Sequence, residues 1–214
     1  GKRVVLVNFS GSAVGLVPES DNCDAILQAW YPGQAGGTAI ADVLTGRYNP
    51  AGRLSVTFYK DVSQLPDFQD YSMKGRTYRY FQDTPLYPFG HGLSYTTFRY
   101  GKAKADAKKL PAGHTLTLSI PLKNSGKMDG EEVVQVYIRR LADTDGPIKS
   151  LRAFRRVALR AGEKQNVQIE LPAEAFETFD TGTNTMRVLP GEYDIMYGGT
   201  SDSKALRHLS VTLE

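Results

Sequence analysis

Leu116, Leu118, Ile120 and Leu122 alternate with Thr117, Ser119 and Pro121, so every second residue of this stretch is apolar. The same beat returns at Val167, Ile169 and Leu171, at Tyr193, Ile195 and Tyr197, and at Leu209, Val211 and Leu213. A period of two buries one face of a strand and leaves the other wet. Val133 to Ile138 and Phe154 to Leu159 supply two further strands. Turn residues separate them at Asn124-Ser125-Gly126, Ala161-Gly162-Glu163 and Pro190-Gly191. About seven short strands after Phe98 predict an all-β, immunoglobulin-like sandwich.

The first part of the chain keeps a different rhythm. Lys2 to Phe9 holds a compact apolar run, VVLVNF without the alternation, which predicts a strand covered on both faces. Ala25 to Tyr31 is a second short apolar run. Thr38 reads as the N-cap of a helix with Ala39, Ile40, Val43 and Leu44 on one side and Gly46 as its stop. Leu54 to Tyr59 reads as another strand. Strand and helix in alternation predict a mostly parallel sheet. The fold class expected is therefore an α/β partial sandwich domain over residues 1–92, then a β-sandwich over residues 93–214. The sandwich carries a complete set of strands and is expected to fold alone; residues 1–92 are not.

Residues 60–95 fit neither pattern. Phe68, Tyr71, Tyr78, Tyr80, Phe81, Tyr87, Phe89 and Tyr95 make the segment too aromatic for a disordered linker. It is expected to be ordered, extended and packed against protein.

Charge changes this picture little. The net charge is +3, and the surplus lies in the second half around Arg139, Arg140, Lys149, Arg152, Arg155, Arg156 and Arg160. Without a nucleic-acid motif, these residues read as the solvent face of strands, and no nucleic-acid partner is expected. No apolar run approaches the roughly 20 residues of a membrane-spanning helix, so no membrane partner is expected either. Cys23 is the single cysteine, so the fold does not rest on an internal disulfide. Without a cysteine pair, the expected sandwich is of the fibronectin type III variety. Gly1-Lys2-Arg3 leads directly into the first strand, and a signal peptide is expected to lie upstream of it.

Candidate chemistry is sparse. Pro32-Gly33-Gln34-Ala35-Gly36-Gly37-Thr38 sits between a strand and a helix, where a phosphate loop would lie, but lacks the Lys-Ser/Thr ending and the dinucleotide spacing. It reads as a tight turn. His91, His114 and His208 have no partners at metal spacing, so no metal or other cofactor is expected. Asp67 and Asp70 in LPDFQDYS are three residues apart and could be mistaken for the paired carboxyl groups of glycoside hydrolysis. They read as solvated loop charge.

Residues 29–100 carry a combination of motifs: AWYPGQAGGTAIADVLTGRYNPAGRLSVTFY, then LPDFQDYSMKGRTYRYF, then PLYPFGHGLSYTTF. Together these resemble family 3 glycoside hydrolases. LKNSGKMDGEEVVQVYI, PIKSLRAFRRVALRAGE and LPGEYDIMYG resemble the fibronectin type III-like domain that ends many members. The resemblance implies a retaining β-glycosidase acting on a terminal β-linked xylose or glucose, with an oligosaccharide or glycoside substrate and a barrel domain as a partner within the same protein. It implies a periplasmic or secreted location, with a cytoplasmic one as the alternative. It also implies that the nucleophile, an Asp of the barrel, and the acid/base, a Glu, precede Gly1, so no catalytic residue is assigned here. Tyr71 to Phe81 reads by itself as a strand rich in aromatics and Arg, and it looks more like the β-xylosidase branch than the β-glucosidase branch. Arg76, Tyr78 and Tyr80 are the substrate-proximal candidates, because aromatic faces and Arg donors suit sugars. Packing between domains is the competing expectation for the same residues. A non-catalytic carbohydrate-binding module would instead show a coplanar exposed row of aromatics among Tyr137, Phe154, Phe176, Phe179, Tyr193 and Tyr197. A nucleotide-binding protein would use the Gly33 to Gly37 loop.

Overall fold

The computed structural model describes residues 1–214. The chain opens with strand β1 (Val5–Asn8), helix α1 (Val17–Asn22), strand β2 (Ala25–Gln28) and helix α2 (Gly36–Leu44). β1 and β2 pair in parallel, Val5 opposite Ala25 and Asn8 opposite Gln28. Nothing in the chain extends this sheet beyond two strands. The expected cover on both faces is also missing: Val4, Val5 and Phe9 are exposed.

α2 begins two residues before the expected cap. The Gly36 N–H reaches the Gly33 carbonyl at 3.2 Å, closing a turn that Gly33 makes with φ of +69°. Ala35 is the cap residue and no side chain caps the helix. Thr38 therefore lies inside it. The helix stops where expected, at Gly46, whose φ is +76°.

The strand expected over Leu54 to Tyr59 is absent as a strand. Phe58 forms an isolated antiparallel bridge with Tyr87. Leu54 donates to the His91 carbonyl at 2.8 Å, and Gly90 donates back to Leu54 at 2.7 Å. These bonds join an extended segment to residues 87–91, not to β1 or β2, so no larger parallel sheet forms. Tyr71 to Phe81 is not a strand either. After a loop it makes a single helical turn, α3 (Thr77–Tyr80). Gly75 and Thr77, with φ of +70° and +55°, turn the backbone out of the extended region.

From Phe98 onward the sandwich reading holds. Strands β3 (Phe98–Tyr100), β4 (Lys104–Ala105), β5 (Lys109–Leu110), β6 (Leu116–Asn124), β7 (Gly130–Arg140), β8 (Ser150–Leu159) and β9 (Lys164–Leu171) come first. A hairpin of β10 (Glu177–Asp180) and β11 (Thr185–Val188) follows, then β12 (Gly191–Gly198) and β13 (Arg207–Leu213). One sheet runs β5-β13-β12-β7-β8. The other runs β3-β6-β4, with β9 also on β6. Leu116, Leu118, Ile120 and Leu122 of β6 are fully buried, as are Val134 and Val136 of β7 and Ile195 of β12. At about 1.5–3 kcal/mol per fully buried aliphatic side chain, this alternation is what drives the two sheets together. No residue before Ala103 belongs to that core.

The seven basic residues do not share one solvent face. Arg155, Arg156 and Arg160 are exposed, but Arg139, Arg140 and Arg152 are half-buried, and Lys149 is buried with its Nζ on the Ser203 hydroxyl at 2.5 Å. The strand alternation misplaces Lys149 because it lies in the turn entering β8, where the period of two does not hold.

Candidate functional site

The aromatic segment winds from the parallel pair onto the outer face of the five-stranded sheet. Arg76 shapes its loop. The guanidinium donates to the carbonyls of Asp67, Asp70 and Ser72, at 3.1, 2.6 and 3.2 Å. Each of the two aspartates accepts from a backbone N–H two residues on, Asp67 from Gln69 and Asp70 from Ser72, both at 2.8 Å. The bond from Ser72 holds the Asp70 carboxyl below its usual range. A general acid needs its carboxyl raised, so Asp70 is set as a turn former.

Thr77 follows with a backbone angle that a β-branched residue rarely adopts. Its N–H donates to the Tyr59 hydroxyl at 2.7 Å, and its own hydroxyl accepts from the Arg79 N–H at 3.3 Å. Those bonds fix the direction of the next three side chains. Tyr78 stacks on Phe89, with centroids 4.3 Å apart, and meets Tyr137 edge-on at 5.7 Å. Its hydroxyl accepts from the Leu151 N–H at 3.0 Å. Arg79 lies over the Tyr80 ring at 5.7 Å, and its carbonyl accepts from Ile148 at 2.8 Å. The segment thus brings Tyr78 and Tyr80 together on the β-sandwich, while Arg76 stays in the loop. Phe68 and Tyr71, each 90% exposed, point away from it.

Two polar joints lock the segment to the sandwich. The Gly90 carbonyl accepts from Gln135 Nε2 at 3.1 Å; the same amide donates to Gly199 at 2.7 Å and accepts from the Tyr137 hydroxyl at 2.5 Å. A Cβ on Gly90 would lie 2.0 Å from Gln135 Oε1, so only glycine fits. Beside it, Arg53 Nη2 meets Glu132 Oε1 at 2.9 Å, both side chains less than a tenth exposed. Sequence reasoning gave no signal for this pair: 79 residues separate its members, and each looks like ordinary surface charge.

The other candidates fall apart in space. His91 stacks on Tyr87 at 5.3 Å, and His208 Nδ1 sits 2.8 Å from Asp194. Burial, followed by the nearby Arg53, holds the His91 imidazole below its usual range. Tyr137, Phe176, Tyr193 and Tyr197 are buried core residues. Phe154 and Phe179 are exposed, but on separate strands, so the six make no coplanar row.

With this geometry in place, the comparisons are specific. Residues 1–95 match the glycosyl hydrolase family 3 C-terminal domain. The chain belongs to glycosyl hydrolase family 3. Residues 132–201 match a fibronectin type III-like domain. A xylan 1,4-beta-xylosidase of Xylanibacter ruminicola is 56% identical over 213 residues, covering 100% of this chain and 24% of the relative. A periplasmic beta-glucosidase of Salmonella typhimurium is 36% identical, covering 92% of this chain and 28% of its own length. Among solved structures, a β-glucosidase from Erythrobacter marinus superposes with a TM-score of 0.85 at 41% identity, covering 98% of this chain and 28% of that one. The family 3 chain therefore spans about a quarter of these relatives. No helix in it is long and apolar enough to cross a membrane.

Proposed function

We propose that this chain is the C-terminal part of a retaining, exo-acting β-glycosidase, and specifically of a β-xylosidase that removes terminal β-linked xylose from oligosaccharides. The observation that carries the reading is the 56% identity to a xylan 1,4-beta-xylosidase across the whole chain. The reaction is a double displacement, in which a carboxylate forms a glycosyl-enzyme that water then hydrolyses. Both reacting carboxyl groups belong to other parts of the protein. Residues 1–92 supply the C-terminal part of an α/β sandwich domain, and further strands of that domain cover the exposed face of β1. Arg76, Tyr78 and Tyr80 belong to the rim: Arg76 shapes the loop, Tyr78 anchors it to the sandwich, and Tyr80 is the residue free to meet a sugar. The protein works in the periplasm or outside the cell.

The test compares the full-length protein on aryl β-xyloside and aryl β-glucoside, with the anomeric configuration of the first-formed product read by NMR. Higher kcat/KM on the xyloside with retained configuration is expected, and no turnover by the 214-residue chain alone. Preference for the glucoside overturns the substrate, and an inverted product overturns the mechanism.

A further inference from the structure

Beside α3 the chain builds a cleft of about 200 Å³, whose lining shares only Tyr80 with the rim residues named above. Arg79, Arg139, Arg140 and Arg152 all line it. None of them takes part in any ion pair of the chain. The Nε–H of each is buried and makes no hydrogen bond within the protein. Arg140 donates by Nη2 to the Pro190 carbonyl at 3.1 Å, and Arg152 by Nη2 to the Glu177 carbonyl. Arg79 and Arg139 donate from their guanidinium groups to nothing in the protein. Buried donors are nearly always paired, so four together require an explanation.

The backbone is shaped for this arrangement. Leu151 pairs with Tyr137, and Ala153 with Val136, which leaves Arg152 as the extra residue of a β-bulge. A bulge re-aims the side chain it carries. Arg79 is presented from the turn that starts at the strained Thr77, and its carbonyl is tied to Ile148. Two guanidinium groups approach closely enough that Arg79, after burial itself, helps to lower the proton affinity of Arg152. Like charges gathered at the edge of a core, at a bulge and a strained turn, repel one another unless an anion sits among them.

The lining also restricts the anion. Asp143, Asp145 and Glu177 line the same cleft, so four arginines face three carboxylates and one positive charge remains. Asp143 is held by the Gly146 N–H at 2.8 Å and the Thr178 hydroxyl at 2.9 Å. One surplus charge matches a monoanion and disfavours a phosphate chain. Planar guanidinium forks fit a carboxylate in two-point contact. The remaining wall is apolar and partly exposed. Phe179 and Met186 stand opposite each other across the β10–β11 hairpin, about half exposed, with Tyr80 from the aromatic segment. The CH face of a pyranose ring packs on such a surface.

We propose that this cleft binds the carboxylate of an acidic sugar, a hexuronate unit carried by an oligosaccharide. The sugar part of the proposal rests on the glycosidase reading; the anion part rests on the arginines.

The test is calorimetric titration of the 214-residue chain with sodium glucuronate, glucose and sodium acetate at matched ionic strength. Saturable glucuronate binding is expected, with glucose and acetate at least about tenfold weaker. Arg79→Gln and Arg152→Gln should each weaken glucuronate by about tenfold or more, and Arg152→Lys should not restore it, because the fork is lost. Arg160→Gln, exposed and outside the cleft lining, should bind as the parent does, and melting curves check that each variant is folded. No glucuronate binding, or acetate or glucose as tight as glucuronate, overturns the proposal. So does binding that survives the Arg79→Gln/Arg152→Gln double variant. Repeating the titration on the full-length protein separates the remaining source of a carboxylate: binding lost there means an acidic side chain of the same polypeptide fills the cleft, and the proposal fails. Hydrolysis of the neutral aryl xyloside is measured separately, so failure of the glycosidase reading and failure of this site are told apart.

Discussion

Replacing Arg53 by methionine should be among the most damaging single changes in the chain, and the damage should grow with pH. Arg53 lies in the first part of the chain and Glu132 on β7, 2.9 Å apart, each less than a tenth exposed. Burial raises the Glu132 carboxyl above its usual range, and the Arg53 guanidinium pulls it part of the way back. Removing one partner of a buried pair leaves an uncompensated charge, at about 3–5 kcal/mol. For a chain of this size, at roughly 2–4 °C per kcal/mol, the melting temperature should fall by about 6–20 °C. The sign with pH follows from linkage. A carboxyl whose folded pKa is raised contributes stability that is present below its unfolded value, near 4.3, and is lost as pH rises through the folded value. Without Arg53 the folded value rises further. The deficit of the variant relative to the parent should therefore be smallest near about pH 4 and largest near neutrality.

The measurement is chemical denaturation at several pH values, followed by far-ultraviolet circular dichroism and by emission of Trp30, the single tryptophan. The double variant Arg53→Met/Glu132→Leu completes the cycle. It should recover most of the loss, since an apolar pair of similar volume often replaces a buried ion pair at little cost. A deficit below about 1 kcal/mol for Arg53→Met would show that the pair behaves as a surface bridge. A deficit that shrinks with rising pH would refute the assignment to Glu132.

Gly90→Ala should cost about 2 kcal/mol or more in thermal unfolding, because the new Cβ meets Gln135 Oε1 and the backbone sits at φ of +76°. Tyr78→Phe removes the acceptor for Leu151 N–H and should cost about 1 kcal/mol, with KM of the full-length enzyme unchanged; a sharp rise in KM at constant melting temperature would mean that this ring touches sugar instead. Asp70→Asn should leave the kcat of the full-length enzyme within about twofold, since the carboxyl serves Ser72 N–H in a turn; a loss of about a hundredfold would place it in the chemistry.

The sandwich was legible because its signal is local and repeated. Leu116 to Leu122 states its own buried face without reference to any partner, and the partner strands state theirs. The parallel region was legible only in its elements. Val5 and Leu6 look like a strand buried on both sides, and they are a strand, but the groups that would cover them do not lie in this chain. Leu54 to Tyr59 has strand composition and extended backbone yet no strand, because pairing depends on neighbours and its neighbour is the irregular run 87–91. Tyr71 to Phe81 failed for another reason: the turn at Thr77 is held by a tyrosine hydroxyl 18 residues earlier, which composition does not encode. The arginine cleft was visible only as a cluster of basic residues. What separates Arg152 from Arg155 and Arg156 is one unpaired position on β8, and a bulge of that kind leaves no mark in the pattern.

The same contrast bears on which parts of the chain stand alone. The main core and the side chains packed on it all come from Phe98 onward, so residues 93–214 should unfold cooperatively as an isolated piece. Their outer sheet face is another matter. Tyr137, Met196 and Leu206 are buried there with Tyr78 and Phe89 packed on them, and the Phe89 carbonyl accepts from Ser201 at 3.0 Å. Cutting before residue 93 bares this patch, and each side chain loses up to about 1.5–3 kcal/mol of burial. The isolated sandwich is therefore expected to melt lower than the whole chain and to self-associate through that face. Sedimentation velocity and calorimetry of residues 93–214 test both points. Tyr137→Lys in the piece should suppress association while leaving the inner core, which it does not join, intact. Residues 1–92, with β1 uncovered and only a two-stranded sheet, should not melt cooperatively by themselves. A sharp, reversible transition for 1–92, or a molten 93–214, would mean that the contacts across residue 92 are part of one folding unit and not a surface laid over a finished one.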